Sequence, residues 1–339
     1  MRKQFTRTLA LLLCILTLCS VLPLYASADT HPLSGECGKN LTWDLNTETG
    51  VLTIRGTGDM YYYSYPYYVP WWYDNDKIRS VVIEEGVTNI SIYAFYGCEN
   101  MEEVSIPDTV TEILGQSFTD CSSLKSITIP ASVTNFAAWN DPTNGMIFLG
   151  CDALESVYYT GTLEEWCAID FGVSGSNPVC YAGSLYIQDR LLTKVKIPSS
   201  LTVIKPYTFF KCTSLTEVTV PDSITNIGAY AFWSCPNLTR AKIGNGVLIL
   251  NPEVFYGCEN LGVVTLGSGL KLVGDHAFGN CYSLYRVTYN GSKSQWNSVM
   301  VDDGNEQLFM ARWFYRPMAA FWASIRAFFV RLFSRGTEQ

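Results

Sequence analysis

Leu215-Thr-Glu-Val218-Thr-Val220-Pro221, then Ile224 and Ile227, then Ala231-Phe232-Trp-Ser-Cys235, with Leu238 starting the pattern again 23 residues on: this stretch decides the fold. Its first six residues read apolar-x-x-apolar-x-apolar, and Pro221 ends the strand because proline has no N–H to give a sheet ladder. Working outward, a Phe three residues before a Cys recurs at Phe95/Cys98, Phe118/Cys121, Phe148/Cys151, Phe209/Cys212, Phe232/Cys235, Phe255/Cys258 and Phe278/Cys281. The cysteine spacings are 23, 30, 61, 23, 23 and 23. A second column, Ile78, Met101, Leu124, Leu154, Leu192, Leu215, Leu238, Leu261 and Leu284, marks nine rungs. One strand with one return segment cannot bury its own apolar face, whereas identical units stacked about 4.8 Å apart in a parallel sheet can. A β-rich solenoid of about nine rungs is therefore expected.

The composition agrees. Of 339 residues 48% are hydrophobic, 14% aromatic and only 16% charged, with 26 Gly and 14 Pro, a turn-rich globular chain. The two histidines, His31 and His276, are too few and too distant for a His-rich zinc site, and they disfavour most nucleophile–base hydrolase chemistry. Arg2, Lys3 and Arg7, the apolar run Leu9 to Leu24 and the small residues Ala26-Ser27-Ala28 read as a cleaved signal peptide. The apolar run is short for a membrane span, and Leu18 is too large to precede a lipidated Cys19. Without residues 1–28 the net charge is −11, which argues against nucleic acid as a partner.

The repeat, together with Ala-Phe-Tyr-Gly-Cys at 94 to 98 and Ala-Phe-Trp-Ser-Cys at 231 to 235, resembles the 23-residue leucine-rich repeats of BspA-like bacterial surface proteins over about residues 78 to 301. The resemblance implies a parallel-sheet repeat array and adhesion-type binding of host or neighbouring-cell proteins. The organisation expected is a signal peptide at 1–28, an N-terminal β cap module with an aromatic segment at 29–77, a first block at 78–169, a connecting loop at 170–184, a second block at 185–301 and a basic amphipathic tail at 302–339. In the cap module, 34 to 43 and 50 to 58 read as a β-hairpin, and with Pro70-Trp71 they resemble the N-terminal cap of that family. Two departures stand out. Seven extra residues around Trp139 to Gly145 read as a loop, and Tyr159-Thr-Gly161-Thr-Leu-Glu-Glu-Trp166 returns 130 residues later as Tyr289-Asn-Gly291-Ser-Lys-Ser-Gln-Trp296. Each of these two copies reads as a short helix covering an exposed rung end.

Catalytic residues, metal ligands and cofactors are not expected. The repeating cysteines, one per rung with no Cys-x-x-Cys, fit a packed row of free thiols, with Cys37, Cys167 and Cys180 the better disulfide candidates. Glu84-Glu85, Glu102-Glu103, Glu164-Glu165 and Asp302-Asp303 are adjacent in sequence, which is not the arrangement a glycosidase needs, and no depression is expected around them.

Recognition is expected on the concave strand face, from Arg79, Glu102, Lys125 and Glu155 in the first block and from Lys194, Lys196, Glu217, Thr219, Arg240 and Lys242 in the second. The same alternating signs also stabilise and solubilise a sheet. Tyr61, Tyr62, Tyr63, Tyr65, Tyr67 and Tyr68 suit aromatic contact with a ligand, or the packing of a cap. In the tail, Phe321, Trp322, Ile325, Phe328, Phe329, Leu332 and Phe333 share a helical face opposite arginines. That fits a helix lying on anionic lipid, a cap over the last rung or a partner-binding helix. No Leu-Pro-x-Thr-Gly motif for wall attachment occurs near the C-terminus. The expected protein is an extracellular or surface-located binding protein and not an enzyme, its partner a protein or glycan on a host or neighbouring cell. The alternatives are carbohydrate binding through the tyrosines and a purely structural envelope role.

Overall fold

The computed structural model describes residues 31–136 and 145–315. The signal segment, residues 137–144 of the extra loop and the tail helix with Phe321 to Phe333 lie outside the described residues.

The chain opens with an antiparallel meander of β1 (Ser34–Gly38), β2 (Leu41–Asn46) and β3 (Val51–Gly56). Leu41, Trp43 and Leu45 alternate inward along β2, as a half-buried strand requires. From β3 onward the pairing turns parallel: β4 (Ser80–Ile83) joins β3, and β6 (Glu103–Ser105) joins β4. A second sheet holds β8 (Ser126–Ile129), β9 (Ser156–Tyr159), β10 (Ser184–Ile187) and β11 (Arg190–Leu191). The third, six-stranded, is β12 (Lys194–Lys196), β14 (Glu217–Thr219), β16 (Arg240–Lys242), β18 (Val263–Leu266), β20 (Arg286–Tyr289) and β22 (Arg312–Tyr315). The return segments add two-residue strands of their own, β5 (Asn89–Ile90) with β7 (Glu112–Ile113), and the row β13 (Val203–Ile204), β15 (Asn226–Ile227), β17 (Ile249–Leu250), β19 (Leu272–Val273) and β21 (Met300–Val301).

One core runs through both blocks. Its spine is the phenylalanine column: Phe95, Phe118 and Phe148 follow one another at 5.4 Å between ring centres, and Phe209, Phe232, Phe255 and Phe278 at 5.2 to 5.4 Å. The cysteine beside each ring has a specific task. The thiols of Cys121, Cys151, Cys235, Cys258 and Cys281 donate to the carbonyls of Phe95, Phe118, Phe209, Phe232 and Phe255, each on the preceding rung, at 3.1 to 3.2 Å. A side chain small enough for the row that also satisfies a buried carbonyl is what cysteine supplies and alanine does not. All ten described cysteines are free thiols, including Cys37, Cys167 and Cys180, so the disulfide alternative is set aside.

Each rung turns sharply around its phenylalanine. The residue two before it has positive φ in six rungs (Tyr93, Gln116, Tyr207, Tyr230, Glu253, His276), and so does the residue two after it in all seven (Gly97, Asp120, Gly150, Lys211, Ser234, Gly257, Asn280). Ordinary side chains are held in the left-handed region there because the stacked rungs on either side dictate the path.

The two Tyr-x-Gly copies form capped helical turns, Leu163–Ala168 and Lys293–Trp296. Thr162 with Glu165 and Ser292 with Gln295 complete reciprocal capping boxes. In both, the tryptophan meets the tyrosine edge-on, Trp166 on Tyr159 at 5.3 Å and Trp296 on Tyr289 at 5.4 Å. The glycine between is required by that closeness, since a Cβ on Gly161 or Gly291 would lie 2.6 or 2.5 Å from the tyrosine ring. The reading of the first copy as cover for an exposed end needs correction. Trp166 is fully buried, and its indole N–H donates to Thr208 O, 3.1 Å away in the next block, so this helix joins the two blocks.

The block boundary also falls elsewhere. Residues 174–182 form short helical turns rather than an open loop, and β10 extends the first block's sheet by pairing in parallel with β9 before folding back on β11 through Gln188 and Asp189, both at positive φ. The second block's sheet starts at β12. At the far end, residues 306–310 are helical and β22 pairs with β20, which brings residues 302–315 into the repeat fold rather than the tail.

Candidate binding surfaces

On a parallel strand with one face buried, alternate residues must point outward. In the second block those residues form two rows in unbroken register: Lys194, Glu217, Arg240, Val263, Arg286 and Arg312, and beside them Lys196, Thr219, Lys242, Thr265, Thr288 and Phe314. Six cations face a single carboxylate. Lys194 Nζ lies 3.2 Å from Glu217, and the Arg286 guanidinium lies 4.6 Å from the Phe314 ring centre. Lys196, Arg240, Lys242 and Arg312 form no ion pair among the described residues.

The equivalent rows of the first block are Ser80, Glu103, Ser126, Ser156 and Ser184, and Val82, Ser105, Thr128, Tyr158 and Tyr186. Their one charge is Glu103, and the rings of Tyr158 and Tyr186 stack at 4.6 Å. The column Arg79, Glu102, Lys125 and Glu155 is exposed but stands one residue ahead of β4, β6, β8 and β9, so it is not the counterpart of Lys194, Glu217 and Arg240. The two sets of charges thus stand one position apart in the repeat. Glu102 accepts from Lys125 at 3.5 Å. Contrary to expectation, Glu102 and Glu103 do line a depression, of about 450 Å³, with Arg79 and Lys125.

A larger groove of about 580 Å³ opens at the strand ends of the second block, between Lys196 and Lys242 with Thr219 and Thr265. Its rim is a ladder of short polar side chains. Asp222 accepts the Asn245 N–H at 2.6 Å, and Asn245 Oδ1 accepts from Ser268 N at 3.1 Å and Asn290 Nδ2 at 3.3 Å. The other end of the Asn290 carboxamide, its buried Oδ1, has no hydrogen-bond partner among the described residues.

The tyrosine segment divides. Tyr61, Tyr62, Tyr65, Tyr67 and Tyr68 are exposed, whereas Tyr63 is 4% exposed and its hydroxyl donates to Cys37 O at 3.3 Å. Tyr63 is therefore a core residue and not a contact residue, because the segment crosses the meander and must bury one ring to anchor itself. Tyr65 and Tyr67 stack at 5.3 Å, and Tyr68 meets Tyr67 at 4.7 Å. Tyr62 borders a hollow of about 470 Å³ with Asp59, Asn89 and Glu112. Trp71 is buried, edge-on to Trp43 at 5.5 Å, with its N–H on Ala94 O.

His276 sits at the surface with Nδ1 2.9 Å from Asp275. Among the described residues no cluster of three His, Cys, Asp or Glu side chains is placed to hold a metal ion, and no helix is long and apolar enough to cross a membrane.

The chain matches the BspA type Leucine rich repeat region, in six copies, over residues 71–168 and 184–300. No curated protein matches it. Among solved structures it is similar to a leucine-rich repeat protein from Eubacterium ventriosum, with 20% identity, 83% of this chain and 94% of that one covered, and a TM-score of 0.35. A leucine rich cell surface protein from Faecalibacterium prausnitzii shows 19% identity over 82% of this chain and 100% of its own, TM-score 0.29. The pneumococcal vaccine antigen PcpA shows 14% identity over 76% and 81%, TM-score 0.41.

Proposed function

The chain belongs to the BspA-type leucine-rich repeat family, and on that premise we propose that it is an exported surface or secreted protein that binds another protein through its strand face. The observation that carries this reading is the outward row of the first block. Serine, threonine and tyrosine in fixed register, with Tyr158 stacked on Tyr186, make a rigid, nearly uncharged surface. Tyrosine gives large contact area at small entropic cost and serine gives adaptable hydrogen bonding, the composition that antibody binding sites use. Exposed Tyr61, Tyr62, Tyr65, Tyr67 and Tyr68 add surface of the same chemistry in the cap module. Tyr65, Tyr67 and Tyr68 pack on one another, a cluster of edges and faces suited to the mixed contacts of a protein partner. In this reading the meander β1 to β3 caps the first rung, the tail helix holds the protein at the envelope, and no residue is catalytic.

Two experiments test it. Fractionation of the native bacterium compares the intact chain with one ending at Arg316: the intact form is expected in the envelope and the truncation in the medium. Recovery of both in the cytoplasm refutes export. An array of purified extracellular proteins is then probed with the wild type and with Tyr158→Ser/Tyr186→Ser. A partner that loses at least tenfold in affinity supports the reading; absence of any partner, or a partner indifferent to the pair, overturns it.

A further inference from the structure

We infer that the second block's strand face is a separate site for a linear acidic polysaccharide, one that carries a single uronate carboxylate per disaccharide and lies across the strands. It goes beyond the protein recognition proposed for the first block and shares with it only the premise that the strand face is open to a partner.

Charge is the first ground. Lys194, Lys196, Arg240, Lys242, Arg286 and Arg312 face outward from one sheet against Glu217 alone, on a chain whose formal net charge is −8. Such a row costs the fold something, because like charges on neighbouring strands repel; Arg286 and Arg312 are in register on adjacent strands. In the cap module and first block three of the five cations are paired: Arg55 reaches Asp44 and Glu84, Lys77 reaches Asp74, and Lys125 reaches Glu102. In the second block's row Lys196, Arg240, Lys242 and Arg312 form no ion pair among the described residues, and an anionic partner is what would offset the repulsion.

Spacing is the second ground, and it selects the kind of polyanion. Five of the six cations sit on β12, β16 and β20, while β14 and β18 between them carry Glu217 with Thr219 and Val263 with Thr265; the sixth, Arg312, sits on β22 next to β20. Parallel strands stand about 4.8 Å apart, so from β12 to β20 positive charge repeats about every 9.6 Å. A disaccharide of β-linked hexoses advances by close to that length, which sets one carboxylate over each cationic strand. An extended acidic peptide returns to the same side about every 6.8 Å and falls out of step within a few residues. The phosphates of a nucleic acid strand come closer together than the cationic strands do and meet carboxylates at Glu217 and Asp222.

The hydroxyl-bearing rungs supply the third ground. Between the cations β14 and β18 offer the hydroxyls of Thr219 and Thr265, and the groove beside Lys196 and Lys242 is lined by the carboxamides of Asn245 and Asn290. Hydroxyls and carboxamides exchange hydrogen bonds with sugar hydroxyls, which both donate and accept, whereas carboxylates and phosphates only accept.

The test titrates the full chain with a hyaluronan hexasaccharide, in which glucuronate alternates with N-acetylglucosamine, by calorimetry at low ionic strength. One-site binding is expected. It should weaken at least tenfold in Lys196→Gln/Lys242→Gln and again in Arg240→Gln/Arg286→Gln, weaken on adding salt, and stay unchanged in Lys125→Gln on the first block. Circular dichroism confirms that the exposed substitutions leave the fold intact. No saturable binding, or binding that survives all four substitutions, overturns the inference. Equal affinity for a glutamate hexapeptide or a DNA oligonucleotide overturns the polysaccharide assignment, and equal affinity for the neutral hexasaccharide of N-acetylglucosamine overturns the role of charge. The Tyr158→Ser/Tyr186→Ser variant should bind the hexasaccharide normally, so this inference and the protein-binding proposal fail by different results.

Discussion

The two blocks share an inner wall and differ in their outer one. Inside, Phe118 and Phe232 each lie between two ring neighbours, and Cys121 and Cys235 donate to the carbonyl of the previous rung's phenylalanine in the same way. Outside, one block presents serine and tyrosine and the other lysine and arginine. The inner wall is held by the volume and hydrogen bonding that stacking demands, whereas an outward strand position only has to tolerate water. Recognition can therefore change from block to block without disturbing the fold.

The sharpest test of a common inner wall is alkaline pH. Burial raises the Cys37 and Cys167 thiols to about 12, and those of Cys98, Cys121, Cys235 and Cys281 in the same direction. The folded state then keeps protons that the unfolded chain releases near pH 8.5, so stability is complete below that pH and falls as pH climbs toward 12. Each thiol contributes about 1.4 kcal/mol per pH unit in that window. Urea midpoints measured from pH 7 to 11 should drop steeply, and a flat profile would contradict the buried ladder.

Next in size, Phe118→Ala and Phe232→Ala should each cost about 3–5 kcal/mol in urea unfolding. A large difference between them would show that the blocks are not built alike inside. Trp166→Phe should cost about 1–3 kcal/mol because it removes the shorter of the two hydrogen bonds to the buried Thr208 carbonyl and leaves only Asn177 at 3.4 Å, while Trp296→Phe, whose indole makes no hydrogen bond among the described residues, should cost less. Equal losses would remove the first helix's role as the joint between blocks. Gly257→Ala should cost about 1 kcal/mol: φ is +72° there, and no atom lies closer than 3.6 Å to the added Cβ, so backbone strain alone is measured. At the small end, Lys242→Gln and Ser156→Ala should each move stability by no more than about 0.5 kcal/mol. A larger change from either would mean that the outer wall also holds the fold.

What could be read in advance follows the same division. The Phe, Cys and Leu columns were legible because a 23-residue period runs through most of the array, and the Phe-x-x-Cys mark survives even the 30-residue step from Phe118 to Phe148, whose rings still stack. The strand 184–187 was not, because its rung lacks the Phe-x-x-Cys mark; a helical turn at Val179–Ala182 precedes the strand there. Likewise β22 follows β20 at an offset of 26 residues, outside the period. Tyr63 looked like its neighbours because nothing local distinguishes the one ring of a tyrosine run that a meander buries. The first block's charges stand out at Arg79, Glu102, Lys125 and Glu155, one position ahead of the strands, and so draw attention away from the nearly uncharged outer wall itself. Two residue types at each outward position are compatible with the same period, so the period could not reveal it.

The thiol ladder has a consequence in time rather than in space. A thiol buried and donating to a carbonyl is withheld as a nucleophile, so the finished array is poorly reactive toward oxidants and disulfide partners. Before the rungs close, those same thiols are ordinary, and one recurs every 23 residues along much of the chain. Two thiols of non-adjacent rungs that oxidised then would be drawn within about 7 Å, closer than strands two places apart in the sheet can stand. The interval between synthesis and closure of the last rung is thus when an oxidising environment can trap a mis-stacked array, and each rung that closes on its neighbour withdraws one more thiol.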